Sequence, residues 1–303
     1  MFFSGLSRCG LVALLALCVF SCPAAGGEAA GGVVARSFIL SIGVCVPYFA
    51  PPAPACCSHG PDELIPVLSR ALGTAPEDLR RLTNQQAHYD AVINDLVWLA
   101  ESSRPDDIVI IYYFGHGLLL PNDDGSERDG QDEVLSLWSA QEPFCVLEAV
   151  LTKKWLLDDE LGRLLDAIPA TRKLLIADTC HGGAAQRLAI SDEQIMAYDA
   201  KTAALMAAAQ PNQNAFLSPQ TCVGLFTHAL TEAIRNGAPN MEAAFTSARR
   251  TVMRERPKQP NALKVARRNG QTPTLTDPEG LSRMILLAPP GTPEGATKSA
   301  QKN

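Results

Sequence analysis

The sequence predicts an α/β fold in which a mostly parallel central sheet has helices on both faces. Two observations support this prediction. Continuous apolar runs rich in β-branched residues, such as 107-DIVIIYYF-114, indicate strands that are buried on both sides. Amphipathic segments with helical spacing alternate with these runs, and such alternation is typical of a parallel sheet wrapped by helices. The 303 residues are 47% apolar, which is enough for a substantial core.

Each element is predicted from its own local pattern. Apolar runs indicate strands, and leucines three or four residues apart, followed by a glycine, indicate a helix. The predicted strands are 38–46, 78–83 (weaker), 107–114, 173–178 and 203–209. The predicted helices are 61–73, 88–102, 158–168 and segments near 222–236 and 240–256. Turn-forming and acidic residues fill 121–133, and the short apolar run 134-VLSLW-138 follows.

The amino terminus predicts export. Arg8 precedes a ten-residue apolar core, Leu11 to Phe20, which is too short to cross a bilayer but fits a signal peptide. The tetrad 19-VFSC-22 resembles a bacterial lipobox, so lipidation of Cys22 is left open. The predicted organisation is a signal peptide at 1–22, a flexible linker at 23–35, one domain at 36–288 and a disordered tail at 289–303. We therefore expect a periplasmic or extracellular protein, with a lipid at Cys22 as its only membrane contact.

The net charge and the cysteine spacing argue against a nucleic-acid surface and a structural zinc site. The net charge of −6 disfavours a nucleic-acid surface, because an acidic protein repels phosphate. The nine cysteines show no CxxC spacing and no zinc-finger spacing with histidine, which argues against a structural zinc site.

Polar residues follow two of the predicted strands. The segment 115-GHG-117 comes after one strand, and 178-DTCHGG-183 ends the other. Ligands bind at the carboxyl ends of strands in such sheets, so His116 and Cys180 can face each other across a substrate. A thiol nucleophile needs a base and donors for an oxyanion. We predict Cys180 as nucleophile, His116 as general base, and the backbone N–H groups of Gly117 and Cys180 as the oxyanion hole.

Two other interpretations of these residues are weaker. His181 adjoins the thiol, but neighbours in an extended segment point to opposite faces, so a packing role suits it better than that of base. A metal site made of His116, Asp178, Cys180 and His181 would lack any established ligand spacing.

The two segments together resemble a known family. The stretches 112-YYFGHG-117 and 176-IADTCHGG-183 are similar to Tyr-Ser-Gly-His-Gly and Asp-Ser-Cys-His-Ser-Gly of caspase-like cysteine peptidases (clan CD, peptidase C14), in the metacaspase and bacterial branch. Further matching stretches are 123-DDGSERDGQDE-133, 157-LDDELGRLLDAIP-169, 224-GLFTHALTEAI-234 and 271-QTP-273. The resemblance implies a caspase-like three-layer αβα sandwich and an endopeptidase that works through a Cys180–His116 dyad.

The resemblance also implies specificity for peptides with a basic P1 residue, the residue before the cleaved bond. Metacaspases have an acidic S1 pocket, and the matching carboxylates here are Asp178 and Asp62. A desolvated pair of carboxylates would bind a guanidinium strongly. Both residues also precede predicted helix starts, so ordinary helix capping is the alternative.

The chain departs from the family pattern at several positions. Phe114 replaces a small serine and could reshape the pocket, and Leu137 and Trp138 replace the usual proline and aspartate. Many metacaspases resemble calcium-activated enzymes, and the candidate ligands here are Asp132, Asp158 and Asp159. Arg187 stands where the last ligand is expected and would repel calcium, so we expect activity without a metal cofactor.

Two further functions stay open alongside an exported endopeptidase. Phe114 and the altered stretch 137–138 would suit a caspase-fold pseudoenzyme that acts as a binding module. A thiol peptide ligase would use the same acyl-enzyme but transfer it to an amine. For an active peptidase, we expect any self-cleavage within 184–202, which contains Arg187 and Lys201.

Overall fold

The structure is a computed structural model. It describes residues 35–44, 59–121, 131–138, 155–180, 202–210, 213, 215–217, 221, 223–255, 270–277 and 279–289. The strands are β1 (Ser37–Gly43), β2 (Leu79–Thr83), β3 (Ile108–Pro121), β4 (Gln131–Ser136), β5 (Trp155–Leu157), β6 (Arg172–Cys180), β7 (Ala204–Ala207) and β8 (Thr274–Thr276). The helices are α1 (His59–Leu72), α2 (Tyr89–Ser102), α3 (Asp158–Ala167), α4 (Leu225–Arg235), α5 (Met241–Glu255) and α6 (Leu281–Met284).

The central sheet has the order β2-β1-β3-β6-β7-β8. All its neighbours pair in parallel except β8, which runs antiparallel to β7. The beginning of β3 therefore lies in the middle of the sheet, which explains its continuous apolar sequence. Its last residues leave the sheet and pair with β4 in an antiparallel ribbon that β5 extends.

Two separate apolar cores cover the two faces of the sheet. Alternate residues of β3, including Ile110 and Tyr112, pack with α1, α4, α5 and α6 on one face, here called the α1 face. The intervening residues, including Ile111 and Tyr113, pack with α2 and α3 on the other face, here called the α2 face. The predicted three-layer αβα sandwich is confirmed. Within the described residues, no helix is both long and apolar enough to span a membrane.

Most predicted elements are present, but two strands continue further along the chain than predicted. The strand predicted at 107–114 continues to Pro121, so His116 lies inside a strand rather than after one. The reason is a change of partner, because β3 pairs with β6 as far as His116 and with β4 from Gly117 onward. Likewise, the strand predicted at 173–178 extends to Cys180. The elements β4, β5, β8 and α6 were not predicted, and β4 begins at Gln131, within the region assigned to turns. The predicted signal peptide, Cys22 and most of the linker and tail lie outside the described residues.

Candidate active site

His116 and Cys180 occupy partner positions on adjacent strands. β3 and β6 pair in parallel from Ile108 with Arg172 to His116 with Cys180, where the pairing ends. The spacing between neighbouring strands is about 4.8 Å, so the two backbones lie side by side at the carboxyl edge of the sheet. The expectation that these strands are close neighbours is confirmed. His181 lies outside the described residues.

Tyr113 fixes the backbone at His116 from the α2 face. Its hydroxyl oxygen lies 2.9 Å from the carbonyl oxygen of His116 and 2.8 Å from that of Ser136, at the end of β4. A Cβ atom on Gly115 would lie 2.6 Å from the same hydroxyl and 2.9 Å from the carbonyl oxygen of Val44. Glycine is therefore required before His116 for the strand to pass this close to its neighbours.

The imidazole of His116 is partly buried, and burial lowers its pKa. The ring is therefore neutral at pH 7, which is the form that can accept a proton. Gly117, the predicted oxyanion donor, is buried, and its backbone is the partner of Leu135 in β4. The roles of His116, Gly117 and Cys180 remain predictions.

Asp178 lies on the α1 face, buried against the first turn of α4. Its side chain is 3% exposed, and its Oδ2 accepts hydrogen bonds from the backbone N–H of Thr227 at 3.0 Å and from the Thr227 hydroxyl at 2.6 Å. Burial raises its pKa to about 6, although both bonds from Thr227 act to lower it. Among the described residues, no hydrogen bond reaches Oδ1. Asp178 thus accepts hydrogen bonds from the first turn of a helix that is distant in sequence, not from a helix that directly follows it.

Asp62 differs from Asp178 in its exposure and in its partner. It lies in the first turn of α1, its side chain is 52% exposed, and its carboxylate is paired with Arg81 of β2. Asp62 is therefore not the desolvated carboxylate that the resemblance implied. It is Glu63, the next residue, that faces α4, where its carboxylate lies 2.7 Å from Nδ1 of His228.

Phe114 is a core residue rather than an open pocket wall. It is 5% exposed, and it is the register partner of Asp178 on β6. A Cβ atom on Gly60 would lie 2.9 Å from its ring and 2.7 Å from the hydroxyl of Tyr112, so α1 begins in direct contact with these two aromatic side chains. Phe114, which stands where the family has a serine, thus helps to pack α1 against the sheet.

The predicted calcium ligands give no metal site among the side chains that the structure describes. Asp158 is buried at the first residue of α3, and Asp159 lies 3.7 Å from Arg163, one turn along the same helix. No group of three His, Cys, Asp or Glu side chains that could hold a metal occurs in this part of the chain. The side chain of Asp132 and the whole of Arg187 lie outside the described residues.

Three residues of the site region had no role in the sequence-based prediction. Thr227 and Gly224 contact Asp178. Gln271 is fully buried, accepts a hydrogen bond from the backbone N–H of Phe216 and donates one to the carbonyl of Ala208, both at 3.0 Å. All three lie in stretches that resemble the family, 224–234 and 271–273. Their contacts depend on distant segments, which a local pattern does not reveal.

Comparison with protein families decides the relationship. The sequence model of the Peptidase C14 caspase domain matches residues 67–279, well over half of the chain. This chain belongs to the Peptidase C14 family. Both strand ends described above lie within the part of the chain that matches this caspase domain.

Curated relatives of this caspase domain include fungal metacaspases. It is 30% identical to metacaspase-1A of Aspergillus terreus over 137 residues, 43% of this chain and 32% of the relative. It is 29% identical to metacaspase-1 of Ajellomyces capsulatus over 137 residues, 43% of this chain and 36% of the relative. The match thus spans about a third of the length of these relatives.

Solved structures show the same fold. Caspase-1 from Spodoptera frugiperda aligns with a TM-score of 0.55 at 14% identity, over 80% of this chain and 87% of the other. Protein GSU0716 from Geobacter sulfurreducens aligns with a TM-score of 0.53 at 22% identity, over 82% of this chain and 97% of the other. The caspase fold is therefore confirmed for this C14 chain.

Proposed function

We propose that this chain is a cysteine endopeptidase that cleaves proteins after arginine or lysine, with Cys180 as nucleophile and His116 as general base. The observation that supports it most directly is the register of β3 and β6, which makes these two residues partners at the carboxyl edge of the sheet. Membership of the caspase-domain family supports the same reaction.

In the proposed reaction, His116 takes the proton of the thiol, and the sulfur of Cys180 bonds to the carbonyl carbon of the scissile peptide. The carbonyl π electrons move to oxygen, and backbone N–H groups of Gly117 and Cys180 stabilise that oxyanion. When the intermediate collapses, the C–N bond breaks and His116 gives its proton to the leaving amine. His116 then deprotonates a water, which attacks the thioester and releases the acid and the thiol. The lowered pKa of His116 suits the first step, because the base must start neutral.

Asp178 supports the preference for a basic P1 side chain. Thr227 holds only Oδ2, so Oδ1 can accept a hydrogen bond from a guanidinium or an ammonium group. A buried carboxylate favours a cation and disfavours an acidic P1 side chain. Asp62 is exposed and already paired with Arg81, so we assign it no part in this preference.

A panel of fluorogenic peptides that differ only at P1 tests the proposal. We expect cleavage after Arg and Lys but not after Asp, and loss of activity in Cys180→Ala. Cys145→Ala serves as the matched control and should retain activity. Cleavage only after Asp, or activity that survives Cys180→Ala, would contradict the proposal. An inert wild type that still binds basic peptides would indicate a binding module, and product masses would reveal a ligase.

We propose that activity does not require calcium, because the sequence places the cation Arg187 where the resemblance expects the last calcium ligand. We expect equal rates in EDTA and in millimolar calcium, and a rate that depends on calcium would overturn this expectation. We also propose export through residues 1–22, with the mature protein in the periplasm or outside the cell. Mass spectrometry of the purified protein would show whether 1–22 is removed and whether Cys22 is lipidated.

A further inference from the structure

The carboxylate of Asp178 fits closely against the amino terminus of α4. Two donors from one residue, the backbone N–H and the hydroxyl of Thr227, reach Oδ2 at 3.0 and 2.6 Å. A Cβ atom on Gly224, the residue before α4, would lie only 2.0 Å from the same oxygen. No other residue type fits at position 224 without moving the carboxylate. One oxygen of Asp178 is thus held in place by the helix, and no hydrogen bond from the described residues reaches the other.

Tyr112 extends this contact into a directed chain of hydrogen bonds. Its hydroxyl lies 2.8 Å from Oγ1 of Thr227, and both side chains are fully buried. Thr227 has a single hydroxyl proton, which it donates to Asp178, so Tyr112 must donate its own proton to Thr227. Burial, and next the charge of Asp178, raise the pKa of Tyr112, so the phenol keeps the proton that this chain requires.

We propose that Thr227 is a positioning residue for substrate specificity, which holds Asp178 so that its free oxygen Oδ1 faces a basic P1 side chain. This inference rests on the proposed function. Thr227 does not touch the substrate in this arrangement. It acts through Asp178, by fixing the orientation of the carboxylate and by stabilising its charge.

The charge of Asp178 depends on α4, because the described residues give it no ion pair. Hydrogen bonds from Thr227 and the positive end of the α4 dipole favour the ionised form, whereas burial opposes it. The titratable groups that the structure describes around this chain of bonds include Tyr112 on β3, Glu63 on α1, and His228 and Arg235 on α4. Glu63 lies 2.7 Å from His228 and 3.9 Å from Arg235, so both basic side chains are paired with it. Removing the Thr227 hydroxyl therefore leaves no described cation to hold the carboxylate ionised.

Thr227→Val tests this role because it keeps the shape and the backbone N–H but loses the hydroxyl. Two peptides are compared, one with Arg at P1 and one with citrulline, which has the same shape without the charge. At pH 7 we expect the KM for the Arg peptide to rise about tenfold, the effect of one hydrogen bond to a charged group. The citrulline peptide should change less than twofold. The pH midpoint of kcat/KM for the Arg peptide should move upward, since the lost bond lowered the pKa of Asp178.

Matched variants separate this role from a purely structural one. Thr227→Ser keeps a hydroxyl and should restore near wild-type discrimination. Thr231→Val removes another buried hydroxyl of α4, one that bonds to the carbonyl of Thr227, and should leave the Arg-to-citrulline ratio unchanged. Thr227→Ala replaces Thr227→Val if the valine variant does not fold. Equal losses on both peptides, or an unchanged ratio and pH midpoint, would overturn the inference.

A second measurement distinguishes failure of the inference from failure of the proposed function. If the wild type does not prefer Arg over citrulline, the proposed specificity is wrong. The carbon-13 titration of the Asp178 carboxyl in Cys180→Ala protein, with and without Thr227→Val, then decides the positioning role alone. We expect a higher pKa without the hydroxyl, and identical titrations would overturn the role.

Discussion

The substitution Asp178→Asn should make the protein relatively more stable as the pH rises. The amide keeps the size of the carboxyl group, and its oxygen can still accept both hydrogen bonds from Thr227. Burial raises the pKa of Asp178 from 3.8 to about 6 in the folded protein. Between these pH values the folded state binds more protons than the unfolded chain. Stability from this group is therefore complete below about pH 4 and is lost as the pH rises through 6.

The change in pKa sets the size of the effect. A change of this size corresponds to about 3 kcal/mol in the free energy of unfolding. Urea unfolding, followed by circular dichroism at pH 4, 5, 6 and 7, measures it in a Cys180→Ala background that cannot digest itself. We expect the stability of Asp178→Asn relative to its parent to increase by about 2.4 kcal/mol from pH 4 to 7, because the unfolded carboxyl is already partly ionised at pH 4, with equal urea slopes. Parallel stability curves for the two proteins would refute the reasoning.

Three further substitutions test other contacts. Lys173→Met should lower the free energy of unfolding by about 2 kcal/mol in urea titrations, because the buried ammonium group bonds two carbonyls at the end of α3 at 2.7 and 2.8 Å; unchanged stability would contradict this. Ser41→Ala should leave the free energy of unfolding equal or raise it by about 1 kcal/mol, since the buried hydroxyl has no hydrogen-bond partner among the described residues. Ser37→Ala on the same strand should lower it, because the Ser37 hydroxyl is hydrogen-bonded. Tyr113→Phe should lower kcat several-fold with little change in KM, since the hydroxyl holds the backbone at His116; wild-type kinetics would show that this contact is dispensable.

Local patterns predict those parts of the fold whose environment follows from one segment alone. The run 107–114 indicates a central strand because a strand covered on both faces is apolar throughout. The pairing of Gly117 onward with β4 has no such signal, since it depends on a partner beyond an acidic turn region. Three-residue strands such as β5 and β8 are too short for any periodicity to stand out.

The candidate site likewise contains residues that a local pattern predicts and contacts that it does not. His116 and Cys180 could be predicted because each follows its own apolar run and is flanked by polar residues and glycine. The pairing of Asp62 with Arg81 could not, because it joins helix α1 to the separate strand β2. Thr227 meets Asp178 only through packing of α4 on the sheet, across 49 positions of sequence.

The pairing of β3 with β6 has a consequence for residues far from the site. A slip of one position between these strands would turn every apolar side chain of one strand to the wrong core, so the cores on the two faces fix the register. That same register sets His116 opposite Cys180. The packing of Leu174 and Ile110, several residues before the edge of the sheet, therefore helps to fix the position of His116 relative to Cys180. We expect a core substitution that loosens this register to lower activity before it unfolds the protein.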